Sequence, residues 1–257
     1  MTGVVAVVGG GPPSVQATGE ALAELLHVEV RRVGPDEGLD GDGEEVAQRL
    51  LDELADPAVL VAVMPDGAAV EGSSGHVISA GPKPVVVVPD TLATSPPHVP
   101  CRVLLPLDGS WEAAAAVAPA ARFLADAGVE LVVLHVFDES TVPRFWDQAA
   151  HARNAWESEF LARYCSGPGV RLRLRTGAPG ESVVTAAAQE HVDLIVMGWA
   201  QRLDPDSAAT VRRTIHDAQV PVLLVPVSAP ADLRADQPDP PAQGGPGVTD
   251  ADGRARG

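Results

Sequence analysis

The chain has 257 residues, enough for one large domain or two small ones, so a sizeable core can be buried. Its 35 acidic and 18 basic residues give a net charge of -17, a balance that repels nucleic acid and anionic lipid. Hydrophobic residues make up 46% and aromatics only 4%, which excludes a disordered or collagen-like chain and predicts a core of Val, Leu and Ala beneath small-faced helices.

The first segment opens on Val4-Val5-Ala6-Val7-Val8, with no basic region before it and no small-residue cleavage site after it, and reads as a strand rather than a leader. A helix over 14–26, a strand over 28–33, a helix over 44–55, a strand over 60–64, a short helix near 76–80 and a strand over 85–88 follow. Residues 91–100 hold three prolines and no helical period, so they read as a semi-rigid linker.

The second segment predicts a strand over 102–107, a helix over 111–127, a strand over 130–136 and a long helix over 145–165. Next come a strand over 170–175, a helix over 181–190, a strand over 193–197, a helix over 207–218 and a last strand over 221–226. Strands alternating with helices imply crossovers and a parallel sheet, hence a doubly wound α/β fold. From 229 to 257 the chain is Pro, Gly, Asp and Ala with little to bury, and reads as a disordered tail. No apolar run reaches the roughly 18 to 20 residues that span a bilayer, so no membrane partner is expected.

The two segments also align on one another. Setting Val4-Val5-Ala6-Val7-Val8 on Val103-Leu104-Leu105-Pro106-Leu107 brings Gly9-Gly10-Gly11 onto Asp108-Gly109-Ser110. A larger offset sets Pro84-Val85-Val86-Val87-Val88-Pro89 on Pro221-Val222-Leu223-Leu224-Val225-Pro226. The first copy is therefore shorter, and the acidic, Gly-rich stretch 34–43 stands where a third strand and much of a helix are missing. The division expected is a degenerate domain over 1–90, the linker 91–100, a complete domain over 101–228 and the tail 229–257.

Four motifs in order, Val103-Leu104-Leu105-Pro106-Leu107-Asp108-Gly109-Ser110, Leu131-Val132-Val133-Leu134-His135-Val136, Asp193-Leu194-Ile195-Val196-Met197-Gly198 and the run from Pro221 to Pro226, resemble the universal stress protein family. The tandem arrangement is similar to the paired-domain members common in actinobacteria. The resemblance implies two Rossmann-like domains packed as an internal pseudo-dimer through their last strands, or a homodimer through those strands. It implies a cytoplasmic stress-response or regulatory role exercised by binding, with an unidentified protein as partner.

In an open parallel sheet, ligands sit beyond the carboxyl ends of the strands, where Asp108, Phe137 and Gly198 each follow an expected strand. The resemblance makes Asp108, Gly109, Phe137 and Gly198 a candidate ATP cleft. An aspartate matching Asp108 approaches adenine there, and a glycine-rich loop after the fourth strand holds phosphate by backbone N–H groups. Asp108 also reads as a helix N-cap, a role that Ser110 fills equally well.

The phosphate loop departs from the family pattern, which runs Gly-x-x-Gly and ends on Gly followed by Ser or Thr. Gly198 is present, but Gln201 stands at the second glycine, and Val211-Arg212 or Ala208-Ala209 stands at the closing pair. Asp204 and Asp206 add repulsion that Arg202, Arg212 and Arg213 could offset, unless those arginines form a solvated face. In the first segment Gly72-Ser73 is kept, but Gly9 replaces the aspartate and Pro65 lacks an N–H. Weak or absent binding of ATP and Mg is therefore expected. The alternative is an ATP-binding domain with slow hydrolysis in the second segment.

Cys101 and Cys165 lie in no C-x-x-C pair, so neither a disulfide nor a metal site is expected, and a reducing compartment fits. Neither has an adjacent base that would make it a nucleophile, and Asp108-Gly109-Ser110-Trp111 is no nucleophile elbow. With no catalytic constellation, the chain does not read as an enzyme. His135, His151 and Trp156 read as packing. The aromatics Phe145, Trp146, Trp156, Phe160 and Tyr164 read either as a stripe packed on the sheet or as an exposed lid or partner surface.

Overall fold

The computed structural model describes residues 3–9, 11–34, 43–66, 73–92, 98–137, 150–165, 167, 169–202 and 205–227. The tail 229–257, most of the acidic stretch 34–43, the centre of the linker, Gly72, Asp204 and the pair Phe145-Trp146 lie outside the described residues.

The first half runs β1 (Val4–Val8), α1 (Pro13–Leu26), β2 (Glu29–Val33), α2 (Gly43–Ala55), β3 (Val59–Pro65), α3 (Ser73–Ala80) and β4 (Val85–Val88). The second runs β5 (Arg102–Pro106), α4 (Trp111–Asp126), β6 (Glu130–Phe137), α5 (Ala150–Tyr164), β7 (Arg171–Thr176), α6 (Pro179–Glu190), β8 (Leu194–Trp199), α7 (Pro205–Asp217) and β9 (Val222–Pro226).

All nine strands form one sheet in the order β2-β1-β3-β4-β9-β8-β5-β6-β7. Every neighbouring pair is parallel except β4 with β9, whose antiparallel register sets Val85 opposite Leu224 and Val87 opposite Val222. The second half is a five-stranded, doubly wound unit. The first is partial, with four strands and no counterpart of β7 among the described residues. Both edges of β4 and of β9 are taken within the chain, by β3 and β9 and by β8 and β4.

The composition explains the layers. Alternate residues of a strand face opposite sides, and β1 is buried along its whole length because both sides are covered. Val5 and Val7 pack with Val15 and Leu22 of α1, while Val4, Ala6 and Val8 pack with Leu50 and Leu54 of α2. The outer strands β2 and β7 carry arginines instead. Arg31 pairs with Glu53 and Asp56, and Arg173 with Glu190. Charged edge strands oppose pairing with a further chain.

Two strands run further than their apolar runs suggest. β8 extends through Gly198 and Trp199, which pair with Val225 and Pro226 of β9. β6 extends to Phe137, opposite Thr176 of β7. Among the described residues no helix is long and apolar enough to cross a membrane.

Candidate functional site

The carboxyl ends of β5, β6 and β8 bring Asp108, Gly109, Phe137 and Gly198 to one end of the second half. Asp108 is exposed just past β5. Its Oδ1 accepts hydrogen bonds from the Ser110 N–H at 2.8 Å and the Ser110 hydroxyl at 2.7 Å. Ser110 in turn is the N-cap of α4, its Oγ accepting from the Ala113 N–H at 3.3 Å. A serine at this position satisfies one of the helix's orphan N–H groups, so capping falls to Ser110 and the carboxylate of Asp108 orients the cap.

Behind Asp108 lies an aromatic cluster. His135 is buried, and its Nδ1–H donates to the Leu107 carbonyl at 2.8 Å. Its ring meets those of Phe137 at 4.6 Å, Phe160 at 4.8 Å and Trp156 at 5.4 Å. Burial pushes the His135 pKa down, against the opposing influence of the Leu107 carbonyl and Asp108. Phe137 is only 4% exposed, so its side chain belongs to this cluster. A Cβ on Gly109 would rest at contact distance, 3.6 Å, from His135. Trp156, Phe160 and Tyr164 of α5 pack in sequence along the same face.

Gly198 serves the packing of α4 on β8. A Cβ there would come within 3.2 Å of the Ala113 Cα and 3.3 Å of its carbonyl oxygen, tighter than ordinary contact. The chain beyond it turns toward the other half. Trp199 is buried, and its Nε1–H donates to the Ile78 carbonyl at 3.0 Å. Gln201 takes the left-handed conformation, φ 57°, and its Nε2 donates to the Gly81 carbonyl at 2.7 Å. Ile78 lies in the last turn of α3, where helix carbonyls have no partner within the helix. The end of β8 and the residue Gln201 beyond it therefore cap α3. On α7, Ala208 and Val211 are buried in the core shared with β8 and β9.

In the first half, Gly9 follows β1 where Asp108 follows β5, and its N–H donates to the Val33 carbonyl at 2.8 Å.

A second group gathers at the starting ends of β5 and β8. Asp193 Oδ2 accepts from the N–H groups of Cys101 and Arg102, each at 2.9 Å, and from the Cys101 thiol at 3.0 Å. Its Oδ1 lies 2.9 Å from His98 Nε2. Burial alone would raise the Asp193 pKa, but the hydrogen bonds from Cys101, Arg102 and His98 hold it below the usual carboxylate range. The same carboxylate raises the pKa of the Cys101 thiol. Sequence reading passed over this group because Asp193 lies 92 residues from Cys101; only the pairing of β5 with β8 unites them.

The architecture is that of a Rossmann-like α/β protein, with a complete doubly wound unit in its second half. The profile of the universal stress protein family matches residues 101–226, so the second half of the chain is a domain of that family. A universal stress protein from Archaeoglobus fulgidus DSM 4304 is similar in structure at 18% identity, with 87% of this chain and 96% of that one covered and a TM-score of 0.56. A functionally unknown protein from Pseudomonas aeruginosa PAO1 matches at 14% identity over 87% of this chain and 92% of its own, with a TM-score of 0.57. At these identities the likeness is one of fold. No curated protein matches the sequence.

Proposed function

We propose that this chain is a universal stress protein that acts in the cytoplasm by binding rather than by turnover, as a stress-response or regulatory protein whose two halves form a tandem pseudo-dimer. ATP binds weakly or not at all in this reading. The observation that carries it is the capping of α3 by Trp199 and Gln201. Holding phosphate through a loop takes backbone N–H groups that approach the ligand closely. Here the residue at the second glycine position is committed to the other half. The positions of the closing Gly-Ser pair, read either way, begin with a side chain buried in the core, Ala208 or Val211.

A second reading keeps one observation in its favour. Asp108 is exposed beyond β5, where ligands of parallel sheets sit, and could face a nucleotide that is slowly hydrolysed with Mg. Calorimetric titration of the full chain with ATP and Mg separates the two. The first predicts a dissociation constant weaker than about 100 μM. A low-micromolar constant, weakened about tenfold by Asp108→Ala, supports the second.

A further inference from the structure

The cluster at the starting ends of β5 and β8 combines an imidazole, a thiol and a carboxylate, whose ligand atoms all lie within 4.8 Å of one another. We propose that His98, Cys101 and Asp193 bind a Zn2+ ion, with a fourth position open to water.

The geometry is close to what zinc requires. Bonds of about 2.0 Å to nitrogen and oxygen and about 2.3 Å to sulfur, arranged tetrahedrally, separate N from O by about 3.3 Å and S from O by about 3.5 Å. The observed separations are 2.9 Å for His98 Nε2 to Asp193 Oδ1 and 3.0 Å for Cys101 Sγ to Asp193 Oδ2, one to each oxygen of the carboxylate. Admitting the ion requires the imidazole and the thiol to converge on one carboxylate oxygen. His98, with its side chain 66% exposed, has the freedom to do so.

The carboxylate is already aimed. Backbone N–H groups of Cys101 and Arg102 hold Asp193 Oδ2, the kind of outer support that orients metal ligands. On binding, the Cys101 S–H bond breaks, an S–Zn bond forms and the proton leaves to solvent. One thiolate and one carboxylate then balance the charge of the ion, and no electron is transferred. A thiolate beside imidazole selects zinc over magnesium and calcium, which take oxygen ligands.

Room exists for the fourth ligand. His98 and Asp193 line a cavity of about 230 Å³ between α1 and the starting ends of β8 and β9. Thr18 of α1 lines it too, and its buried hydroxyl has no hydrogen-bond partner among the described residues. Three protein ligands with an open position are the arrangement of a zinc ion that keeps a bound water.

The test is titration of the untagged, chelator-stripped full chain with Zn2+ by calorimetry, repeated with Co2+ by absorption. One ion per chain is expected, with a dissociation constant below about 10 μM. Cys101→Ser, His98→Ala and Asp193→Asn are each expected to weaken binding by tenfold or more. The asparagine variant retains an oxygen for the two backbone N–H groups, so its loss reads the ligand role rather than misfolding. Cys165→Ala serves as the control and is expected to bind as the parent does. Bound Co2+ is expected to give a thiolate charge-transfer band that Cys101→Ser abolishes. Binding weaker than about 100 μM, or binding and a cobalt spectrum unchanged by Cys101→Ser, overturns the proposal.

Discussion

Gln201 and Gly81 are 120 residues apart in the chain, and a 2.7 Å hydrogen bond joins them. The bond ties the segment after β8 to the end of α3, while Gln201 holds a left-handed backbone. Losing such a bond removes about 1 kcal/mol, and glycine at a left-handed position returns a comparable amount. Gln201→Ala is therefore expected to lower stability by about 1 kcal/mol and Gln201→Gly to stay within about 0.5 kcal/mol of the parent. Urea unfolding distinguishes them, and equal losses would show that the backbone at Gln201 carries no strain.

Trp199 makes the stronger connection. Replacing it with Phe leaves the Ile78 carbonyl without its partner, an expected loss of about 1–3 kcal/mol. Trp199→Ala adds a cavity between the halves, for about 3–5 kcal/mol in all. Faster proteolysis within residues 73–92 of the alanine variant is expected, because α3 loses its anchor.

Helix α1 approaches β1 through Gly19. A Cβ there would lie 2.3 Å from Cγ2 of Val7, which is fully buried and stiff at χ1. Gly19→Ala is expected to cost about 1–3 kcal/mol through overpacking. Gly11→Ala, whose Cβ would meet Val15 at 3.7 Å, is expected to change stability by no more than about 0.5 kcal/mol. Thermal melts of both variants make the comparison.

His135 makes stability depend on pH. Burial lowers its pKa from the ordinary 6.5, so the unfolded chain takes up the proton more readily than the folded one. The contribution is complete above that unfolded value and is lost as pH falls through it toward the folded value. The urea midpoint is expected to drop between about pH 7.5 and about pH 5, and His135→Phe to flatten that slope. The variant is less stable throughout, because the Leu107 carbonyl loses its donor. An unchanged slope would assign the dependence to another group.

Much of this fold was legible in the chain because its strands are short apolar runs bounded by Gly, Pro and Asp. The expected strand over 85–88 coincides with β4, and most other boundaries lie within a residue or two. That the first half is partial was legible as well. What periodicity could not convey is which atoms meet across the sheet. Gly198 read as a loop glycine, yet within β8 it pairs with Val225, and α4 packs closely against it at Ala113. Phe137 read as a crevice residue, yet it is buried against the rings of His135 and of Trp156 from α5. His98 and Cys101 read as the end of a linker, since nothing local announces that Asp193 closes on them.

The one antiparallel junction, between β4 and β9, gives the molecule two poles. Strands within each half run the same way, so reversal at the junction points the carboxyl ends of β1, β3 and β4 opposite to those of β5, β6 and β8. Asp108 and Gly198 occupy one pole. His98, Cys101 and Asp193 stand at the other, where the strands of the second half begin and those of the first half end. A molecule gripped at one pole is out of reach of the other, yet Asp193 and Gly198 stand at the two ends of β8, and Cys101 and Asp108 flank β5, so these two strands join the poles directly.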